Sequence, residues 1–334
     1  MKLLVCGGAG FIGSHFVRYI LDAHPDYEVV VFDKLTYAGN MTNLAPVVGR
    51  DNFVFVQGDI ADSAAVNAVF LAQQVDAVLN YAAETHVDRS ILDPEAFLRT
   101  DVLGVYHLLE AVKKFGVSKY IQVSTDEVYG SIAQGAFTED SPFHPNSPYA
   151  ASKAGGDHLC RAYFETYRTP VVVTHSCNVY GPYQYPEKFI PLFITNLLED
   201  KKVPLYGDGK TVREWLYALD HCQAIDLALH YGQPGGVYNI GSGVERQNKD
   251  LAAELLRLLG QGPDMIERIA DRPGHDRRYA IDHSKITREL GWQPATELAE
   301  GLRQTVEWYT HNQAWWKKIK NGEYLAYYQR QYGV

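Results

Sequence analysis

Two residues with complementary chemistry stand four positions apart in this chain. Tyr149 and Lys153 lie in a helical pattern, so their side chains share one face of the helix. A free tyrosine has a pKa of about 10, and lowering it to about 7 requires roughly 4 kcal/mol of preferential stabilisation of the phenolate. The neighbouring Lys153 ammonium can supply part of this. Thr125, at the end of a predicted strand, can hydrogen-bond the same substrate oxygen. These three side chains predict a base that removes an alcohol proton.

Two carboxyl side chains, Asp126 and Glu127, follow Thr125 directly. Adjacent residues on a regular strand point to opposite faces. Both can therefore serve one substrate only if the chain leaves strand geometry at Thr125, and we predict that it does. Two carboxyls in different environments can act as a general acid and a general base. Such a pair suits an elimination, in which one group takes a proton next to a carbonyl and the other protonates the leaving hydroxyl.

A glycine-rich loop stands where a dinucleotide could bind. Gly7, Gly10 and Gly13 form a G-x-x-G-x-x-G pattern between the first predicted strand and a helix. Glycines let the backbone approach a pyrophosphate, and a helix N-terminus offers free N–H donors with a positive partial charge. Asp33, at the end of the second predicted strand, can bind both ribose hydroxyls and would repel a 2′-phosphate. The pattern favours NAD over NADP as the cofactor.

Further cofactor contacts are expected where neighbouring strands end, and an oxidised nicotinamide would add to the stabilisation of the tyrosine phenolate. The expected cofactor-binding residues are Gly7, Gly10, Phe11, Ile12, Gly13, Asp33, Asp59, Ile60, Ala82, Ala83, Tyr149 and Lys153.

The elements that carry these residues alternate between strands and helices. Strands are predicted at 3–6, 29–32, 53–57, 77–81, 120–124 and 171–175, and helices at 12–23, 63–73, 99–115 and 149–167. This alternation implies parallel strands with crossover helices. The expected fold is α/β: a doubly wound parallel-sheet Rossmann domain over 1–181 and a smaller mixed substrate-binding lobe over 182–334. Helices are expected there at 193–199, 250–259 and 299–310, and some later segments, such as 215–231, should pack back on the first domain.

Composition excludes several classes of protein. Of the 334 residues, 31 are Lys or Arg and 40 are Asp or Glu, which gives a net charge of −9 and no basic footprint for nucleic acid. No apolar run approaches the ~20 residues that span a bilayer, so no membrane contact is expected. The four cysteines form no C-x-x-C pair, which speaks against a disulfide framework or a zinc site. With no signal peptide before the first strand, we expect a cytoplasmic protein without a metal.

The glycine loop and the Y-x-x-x-K pair together resemble the extended short-chain dehydrogenase/reductase family. Within that family, the segments at 84–90, 124–130, 148–154, 180–188, 206–209, 213–215 and 272–276 resemble the dTDP-glucose 4,6-dehydratases, and the resemblance spans nearly the whole chain. It implies NAD as the cofactor and a nucleoside-diphosphate sugar, dTDP-glucose, as the substrate. The implied reaction oxidises C4, eliminates water across C5 and C6, and returns the hydride to C6. Glu127 would be the base at C5 and Asp126 the acid at O6. The resemblance also implies a homodimer, in which the helices at 101–115 and 149–167 form a shared bundle.

The diphosphate of such a substrate needs cations despite the negative net charge. The candidates are Lys188, Arg213 and Arg272, since arginine offers a bidentate fork. The resemblance adds polar contacts at His86, Asn178, Asn248 and His275.

Three positions depart from the dehydratase pattern: Asp101 stands for a usual Asn, His175 for a usual Arg, and Val179 for a usual Asn. Loss of polar groups at 175 and 179, near the sugar-nucleotide lobe, leaves another nucleoside-diphosphate hexose open as the substrate. The effect of Asp101, near the expected nicotinamide end, stays open.

Two other enzymes and one non-enzyme compete with this interpretation. A 4-epimerase or a uronic-acid decarboxylase could use the same scaffold. The epimerase has no use for the paired carboxyls Asp126 and Glu127, and the decarboxylase leaves Asp126 without a task. A non-catalytic NAD-binding regulator would not need Tyr149 and Lys153.

Overall fold

The computed structural model describes residues 1–271 and 273–332. Its main sheet has seven parallel strands in the order β10-β6-β5-β4-β1-β2-β3. These strands are β1 (Lys2–Cys6), β2 (Glu28–Asp33), β3 (Phe53–Gln57), β4 (Ala77–Asn80), β5 (Lys119–Thr125), β6 (Val171–Ser176) and β10 (Val237–Ile240). Both faces of the sheet are covered, and β1 and β2 accordingly contain unbroken apolar runs at 3–6 and 29–32. The predicted doubly wound α/β fold is confirmed.

The helices that cover this sheet begin at local sequence signals. Asp62 accepts hydrogen bonds from the amides of Ala64 and Ala65 at the start of α2, and Ser147 caps α6, with Pro148 as its first residue. These helices are α1 (Phe11–Ala23), α2 (Ser63–Gln73), α3 (Val87–Leu92), α4 (Pro94–Leu98), α5 (Val105–Phe115), α6 (Pro148–Tyr167) and α8 (Ala218–Tyr231).

The helix expected at 99–115 is confirmed in extent, but its first six residues are not α-helical. Residues Arg99–Gly104 form a wider π-helical turn, and α5 begins only at Val105. This segment is pressed between its neighbours: a Cβ on Gly104 would meet the Ile60 side chain at 2.6 Å, and one on Gly156 of α6 would meet the Asp101 carbonyl oxygen at 2.6 Å. The close packing coincides with an extra residue in the turn.

A smaller mixed lobe follows, built from short strands and helices. A three-stranded sheet holds β7 (Asn178–Tyr180), β9 (Val212–Tyr217) and β11 (Glu245–Gln247), and a pair holds β8 (Val203–Tyr206) and β12 (Ile266–Ile269). The helices are α7 (Phe189–Leu197), α9 (Asn248–Leu258), α10 (Ser284–Leu290), α11 (Leu298–His311), α12 (Gln313–Ile319) and α13 (Glu323–Tyr332). Short 3-10 turns occupy Met41–Leu44, Asp126–Tyr129 and Pro263–Met265.

Later segments return to the first part of the chain. Strand β10 pairs with β6, and α8 packs against α1. The smaller lobe keeps its own apolar core, in which Tyr309 and Trp316 are fully buried. Among the described helices, none has both the length and the apolar composition to cross a membrane.

Candidate active site

A large cavity opens where the parallel strands end. Residues at the carboxyl ends of β1, β2, β4 and β5 line it, and the space it encloses, open solvent included, is about 1560 Å³. In open α/β sheets, ligands bind in the crevice outside the carboxyl ends of the strands, which is where this cavity lies.

One half of the cavity fits a dinucleotide. Gly7 has a φ of +74°, and a Cβ there would lie 2.5 Å from the Ala82 amide nitrogen, so the loop needs glycine to pass the end of β4. No side chain caps the start of α1 at Gly10, which leaves its first amides available to a phosphate. The Asp33 carboxylate accepts from the amides of Ala9 (2.9 Å) and Leu35 (2.8 Å). The chain thus offers the amides and the fixed carboxylate that a pyrophosphate and a ribose would need.

All the residues expected to bind the cofactor line this one cavity: Gly7, Gly10, Phe11, Ile12, Gly13, Asp33, Asp59, Ile60, Ala82, Ala83, Tyr149 and Lys153. The Asp59 carboxylate also forms an ion pair with the Lys34 ammonium at 2.6 Å, which ties together the cavity wall at the end of β3.

The paired carboxyls occupy different environments beside that half. Strand β5 ends at Thr125 as the sequence predicts, and the following 3-10 turn directs both Asp126 and Glu127 to the cavity. Asp126 is 1% exposed, and its Oδ2 has no hydrogen-bond partner among the described residues. Burial and the neighbouring Glu127 and Glu214 raise the pKa of Asp126 well above its usual value. Since Glu127 is only half-buried, the two groups can hold different charges.

Tyr149 and Lys153 both line the cavity, as expected. Their surroundings decide the pKa of the tyrosine. The Lys153 ammonium donates to the Val123 carbonyl oxygen at 3.0 Å, and Thr125 hydrogen-bonds Tyr149. Burial, followed by the charges of Glu127 and Asp101, raises the pKa of Tyr149 well above 10. Lys153 was expected to lower this pKa together with an oxidised nicotinamide; in the protein alone, burial and the carboxyls raise it.

Two of the expected substrate contacts reach the cavity. Asn178, the first residue of β7, and Lys188, which precedes α7, both line it. The Lys188 ammonium donates to the Thr85 carbonyl oxygen, which holds it across the cavity mouth.

Arg213, His86, Asn248 and His275 do not line the cavity. Arg213 is 5% exposed; its guanidinium donates to the carbonyl oxygens of Val212 (2.7 Å) and Asp276 (3.0 Å) and stacks 3.9 Å above the Tyr279 ring.

His86, His275 and Asn248, the other expected substrate contacts that do not line the cavity, lie in three separate environments. The His86 ring contacts the Tyr327 hydroxyl at 3.2 Å, and His275 Nδ1 lies 2.6 Å from Asp271. Asn248 opens α9, with a buried Oδ1 that has no partner among the described residues. Arg272 lies outside the described residues.

Several cavity residues were missed by the sequence analysis. Glu84 and Thr85 line the cavity directly after Ala83, so the rule that strand ends meet at one edge could have found them. Gln184 and Tyr185 come from an irregular loop and His221 from α8. Gln184 and Tyr185 lie in the 180–188 segment that carries the family resemblance, which could have marked them. No local pattern marks His221, because its position depends on how α8 folds back.

Position 175 does not belong to the sugar-nucleotide lobe. His175 lies on β6, 1% exposed and away from the cavity lining, with Nε2 3.1 Å from Asp157 and Nδ1 2.8 Å from the Tyr129 hydroxyl. Its interpretation as a mark of substrate identity is wrong, because a side chain on this strand faces a buried polar cluster. Val179 does line the cavity.

A possible metal-binding group lies elsewhere. Within the described residues, His24, Asp226 and His230 bring their ligand atoms within 4.8 Å of one another. None of them lines the cavity, and Asp226 already accepts from Tyr19 (2.9 Å) and contacts His24 (3.1 Å). No sequence spacing indicated this group, because α8 brings Asp226 and His230 to the end of α1 only in the folded chain.

Comparison with known proteins places the chain in a family. The family model described as GDP-mannose 4,6 dehydratase matches residues 4–305. A dTDP-glucose 4,6-dehydratase of Streptomyces niveus is 50% identical over 325 residues, 96% of each chain. The crystal structure of DesIV, a dTDP-glucose 4,6-dehydratase from Streptomyces venezuelae with NAD and TYD bound, has a TM-score of 0.94 at 52% identity, and covers 96% of this chain and 100% of that one. A UDP-glucose 4-epimerase of Thermus thermophilus in complex with NAD has a TM-score of 0.87 at 32% identity, with 93% and 100% covered. The chain therefore belongs to the dTDP-glucose 4,6-dehydratases, a group within the extended short-chain dehydrogenases/reductases.

Proposed function

We propose that this protein converts dTDP-glucose to dTDP-4-keto-6-deoxyglucose with NAD as its cofactor, and so acts as a hydro-lyase. The observation that carries the proposal is the carboxyl pair on the turn after β5, one member buried and the other half-buried, beside the Thr125–Tyr149–Lys153 group. The relatives named dTDP-glucose 4,6-dehydratase and the NAD-bound DesIV structure support the same reaction.

Each residue has one task in the reaction. Bound NAD⁺ accepts a hydride from C4 and returns it to C6. Tyr149 takes the proton of the C4 hydroxyl, which Thr125 holds by a hydrogen bond. A C4 carbonyl makes the C5 proton acidic, and Glu127 removes it while Asp126 donates a proton to the departing O6 hydroxyl. The raised pKa of Asp126 favours the protonated form that this step requires. When the hydride returns to C6, Glu127 gives the proton back to C5, which completes the 6-deoxy product.

Base catalysis by Tyr149 requires a positive charge beyond the one that the protein supplies. The surrounding carboxyls hold the Tyr149 pKa high, and Lys153 alone does not offset them. The oxidised nicotinamide carries such a charge. The tyrosine is therefore expected to become a base only after the cofactor is bound.

The sugar nucleotide is expected to enter from the smaller lobe. Lys188 and Asn178 line the mouth of the cavity and suit the diphosphate and its neighbouring hydroxyls. Arg213, Asn248, Arg272, His86 and His275 are proposed as outer contacts, which requires some of them to change partners when substrate binds. Val179, an apolar residue on the cavity wall, keeps UDP- or GDP-glucose as alternative substrates.

The division at residue 181, a homodimer and a cytoplasmic location complete the proposal. Support for a dimer comes from apolar side chains left exposed on α3 to α5 and the π-turn, at Ile91, Leu98, Leu103 and Tyr106. Four unpaired, buried cysteines suit a reducing compartment.

The test is incubation of the purified protein with dTDP-glucose without added reductant. We expect a product lighter by one water that gives the keto-sugar chromophore in alkali. Product from UDP- or GDP-glucose in place of dTDP-glucose would reassign the base, and conversion to dTDP-galactose would favour the epimerase.

A further inference from the structure

Asp101 is a buried carboxyl that the π-turn places against α6, the helix that carries Tyr149. Its side chain is 1% exposed, and its Oδ2 accepts a hydrogen bond from Ser152 Oγ at 2.9 Å. Its Oδ1 is buried and has no hydrogen-bond partner among the described residues. π-turns are rare and frequent at functional sites. This one presses the Asp101 main chain against Gly156 of α6, the helix that carries the catalytic tyrosine.

Ser152 connects this carboxyl to the base. It lies between Tyr149 and Lys153 on α6, and its hydroxyl also contacts the Tyr149 carbonyl oxygen at 2.8 Å. The charged groups that act on Asp101 are Lys153, which favours the carboxylate, and two acids that oppose it, Glu84 and Asp157.

Together these effects make Asp101 change its charge near pH 7. Burial dominates and raises the pKa of Asp101 to about 7, although Lys153 and the Ser152 hydrogen bond favour the ionised form. The Tyr149 hydroxyl, in turn, is acted on by Glu127, Asp126 and Asp101, each of which raises its pKa.

Ionisation of Asp101 should raise the pKa of Tyr149 in two ways, so that less of the phenolate is present at a given pH. Its negative charge opposes the negative charge of the phenolate directly. The Asp101 carboxylate also offsets part of the positive potential of the Lys153 ammonium, which would otherwise stabilise that phenolate. A protonated Asp101 does neither, so the two groups titrate as a coupled pair.

We propose that Asp101 is a positioning residue for the Tyr149 base: its ionisation raises the pH at which the tyrosine can act. The proposal rests on the proposed function, in which Tyr149 takes the C4 hydroxyl proton.

The first test is the pH profile of kcat for Asp101→Asn. The amide keeps the size of the side chain and an acceptor for Ser152, but has no charge. We expect the acid limb to move to lower pH by about one unit, with the plateau little changed. A purely structural role would lower kcat at every pH without moving the limb. An unmoved limb, or one that moves to higher pH, overturns the proposal.

Two further variants calibrate that result. Ser152→Ala removes a hydrogen bond that stabilises the Asp101 charge, and should shift the limb the same way by a smaller amount. Asp62→Asn, at the start of α2, removes a carboxylate that does not line the cavity, and should leave the profile unchanged. A shift in Asp62→Asn equal to that in Asp101→Asn would also overturn the proposal.

Two spectroscopic readouts need no turnover. The infrared difference between the wild-type holoenzyme and Asp101→Asn should contain the stretch of a protonated carboxyl that disappears around neutral pH; its absence at acid pH overturns the proposal. Ultraviolet titration of the phenolate, with Tyr149→Phe as the blank, should give a lower midpoint in Asp101→Asn. If no sugar nucleotide is converted at any pH, the proposed function fails, while these two measurements still decide the charge coupling.

Discussion

The inner half of the active site holds the cofactor-binding and catalytic residues, and the outer half holds the residues expected to bind the sugar nucleotide. The two halves differ in how well the sequence predicted their residues. In the inner half, every residue expected to act in catalysis or to bind the cofactor lines the cavity, because each lies in the glycine loop, at the end of a parallel strand or on one face of α6. In the outer half, Asn178 and Lys188 reach the cavity, while Arg213 and His275 contact other groups of the smaller lobe. Parallel strands bring their carboxyl ends to one edge, whereas short strands in separate sheets impose no such meeting.

The halves also differ in charge. The inner half holds carboxyls at Asp33 and Asp126 whose pKa values burial raises. The outer half keeps its arginine at position 213 occupied by two carbonyl oxygens and an aromatic ring. The inner half is therefore organised before any ligand binds, and the outer half is expected to reorganise when the sugar nucleotide arrives.

The largest effect is expected in the inner half. Tyr149→Phe removes the proton acceptor for C4 oxidation and should lower kcat by about 10²–10⁴ at pH 7. Steady-state measurement of keto-sugar formation checks this. Tyr167→Phe, at the exposed end of the same helix, is the control and should retain full activity. A Tyr149→Phe enzyme within tenfold of wild type would remove Tyr149 from the role of base.

A second inner variant separates the steps of the reaction. Glu127→Gln should block proton removal at C5 and lower turnover roughly 100-fold, while C4 oxidation proceeds. Reduced-nicotinamide absorbance should then build up after substrate is mixed with the enzyme. Glu165→Gln, an exposed carboxylate on α6, is the matched control. Normal turnover by Glu127→Gln would contradict the assignment of the C5 base.

Outer-half variants test whether this region reorganises. Lys188→Met should raise KM for the sugar nucleotide about 10- to 100-fold with little change in kcat or Tm, because an ammonium that contacts a diphosphate contributes roughly 1.5–3 kcal/mol. Arg213→Leu should raise KM similarly and also lower Tm, since its guanidinium is built into the packing. If Arg213→Leu lowers Tm and leaves KM unchanged, the arginine serves packing alone and the two halves differ more than proposed.

The smallest effect concerns stability in acid. Burial lowers the pKa of His15 on α1 and of His221 on α8 to about 3, from 6.5. The unfolded chain binds these protons first, so stability is present above pH 6.5 and is lost as the pH falls toward 3. Each ring should account for about 2 kcal/mol at pH 5.

Tm at pH 7 and pH 5 checks this prediction. The difference between the two values should shrink in His221→Gln. It should persist in His311→Gln, an exposed histidine at the end of α11 in the smaller lobe. Equal behaviour of the two variants would contradict the link between inner-half burial and acid sensitivity.

Local sequence determined the parts of this protein whose physics is local. The glycine loop, the apolar strands and the Ser147–Pro148 helix start each express a preference over a few residues, and β3 and α2 have the predicted bounds. The break of β5 at Thr125 followed from the chemistry, since two adjacent carboxyls can share one substrate only off a strand.

Tertiary structure decided the rest, because burial and long-range contact have no local signal. It widened the first six residues of the expected 99–115 helix into a π-turn, placed His175 in a polar cluster away from the cavity, and brought His221 to the wall. It also set the charges: Tyr149 and Lys153 could be found from their spacing, but the carboxyls that raise the tyrosine's pKa meet it only in the folded chain. Residue types and periodicity are written in the sequence, whereas the dielectric and the electric field at a side chain are properties of everything packed around it.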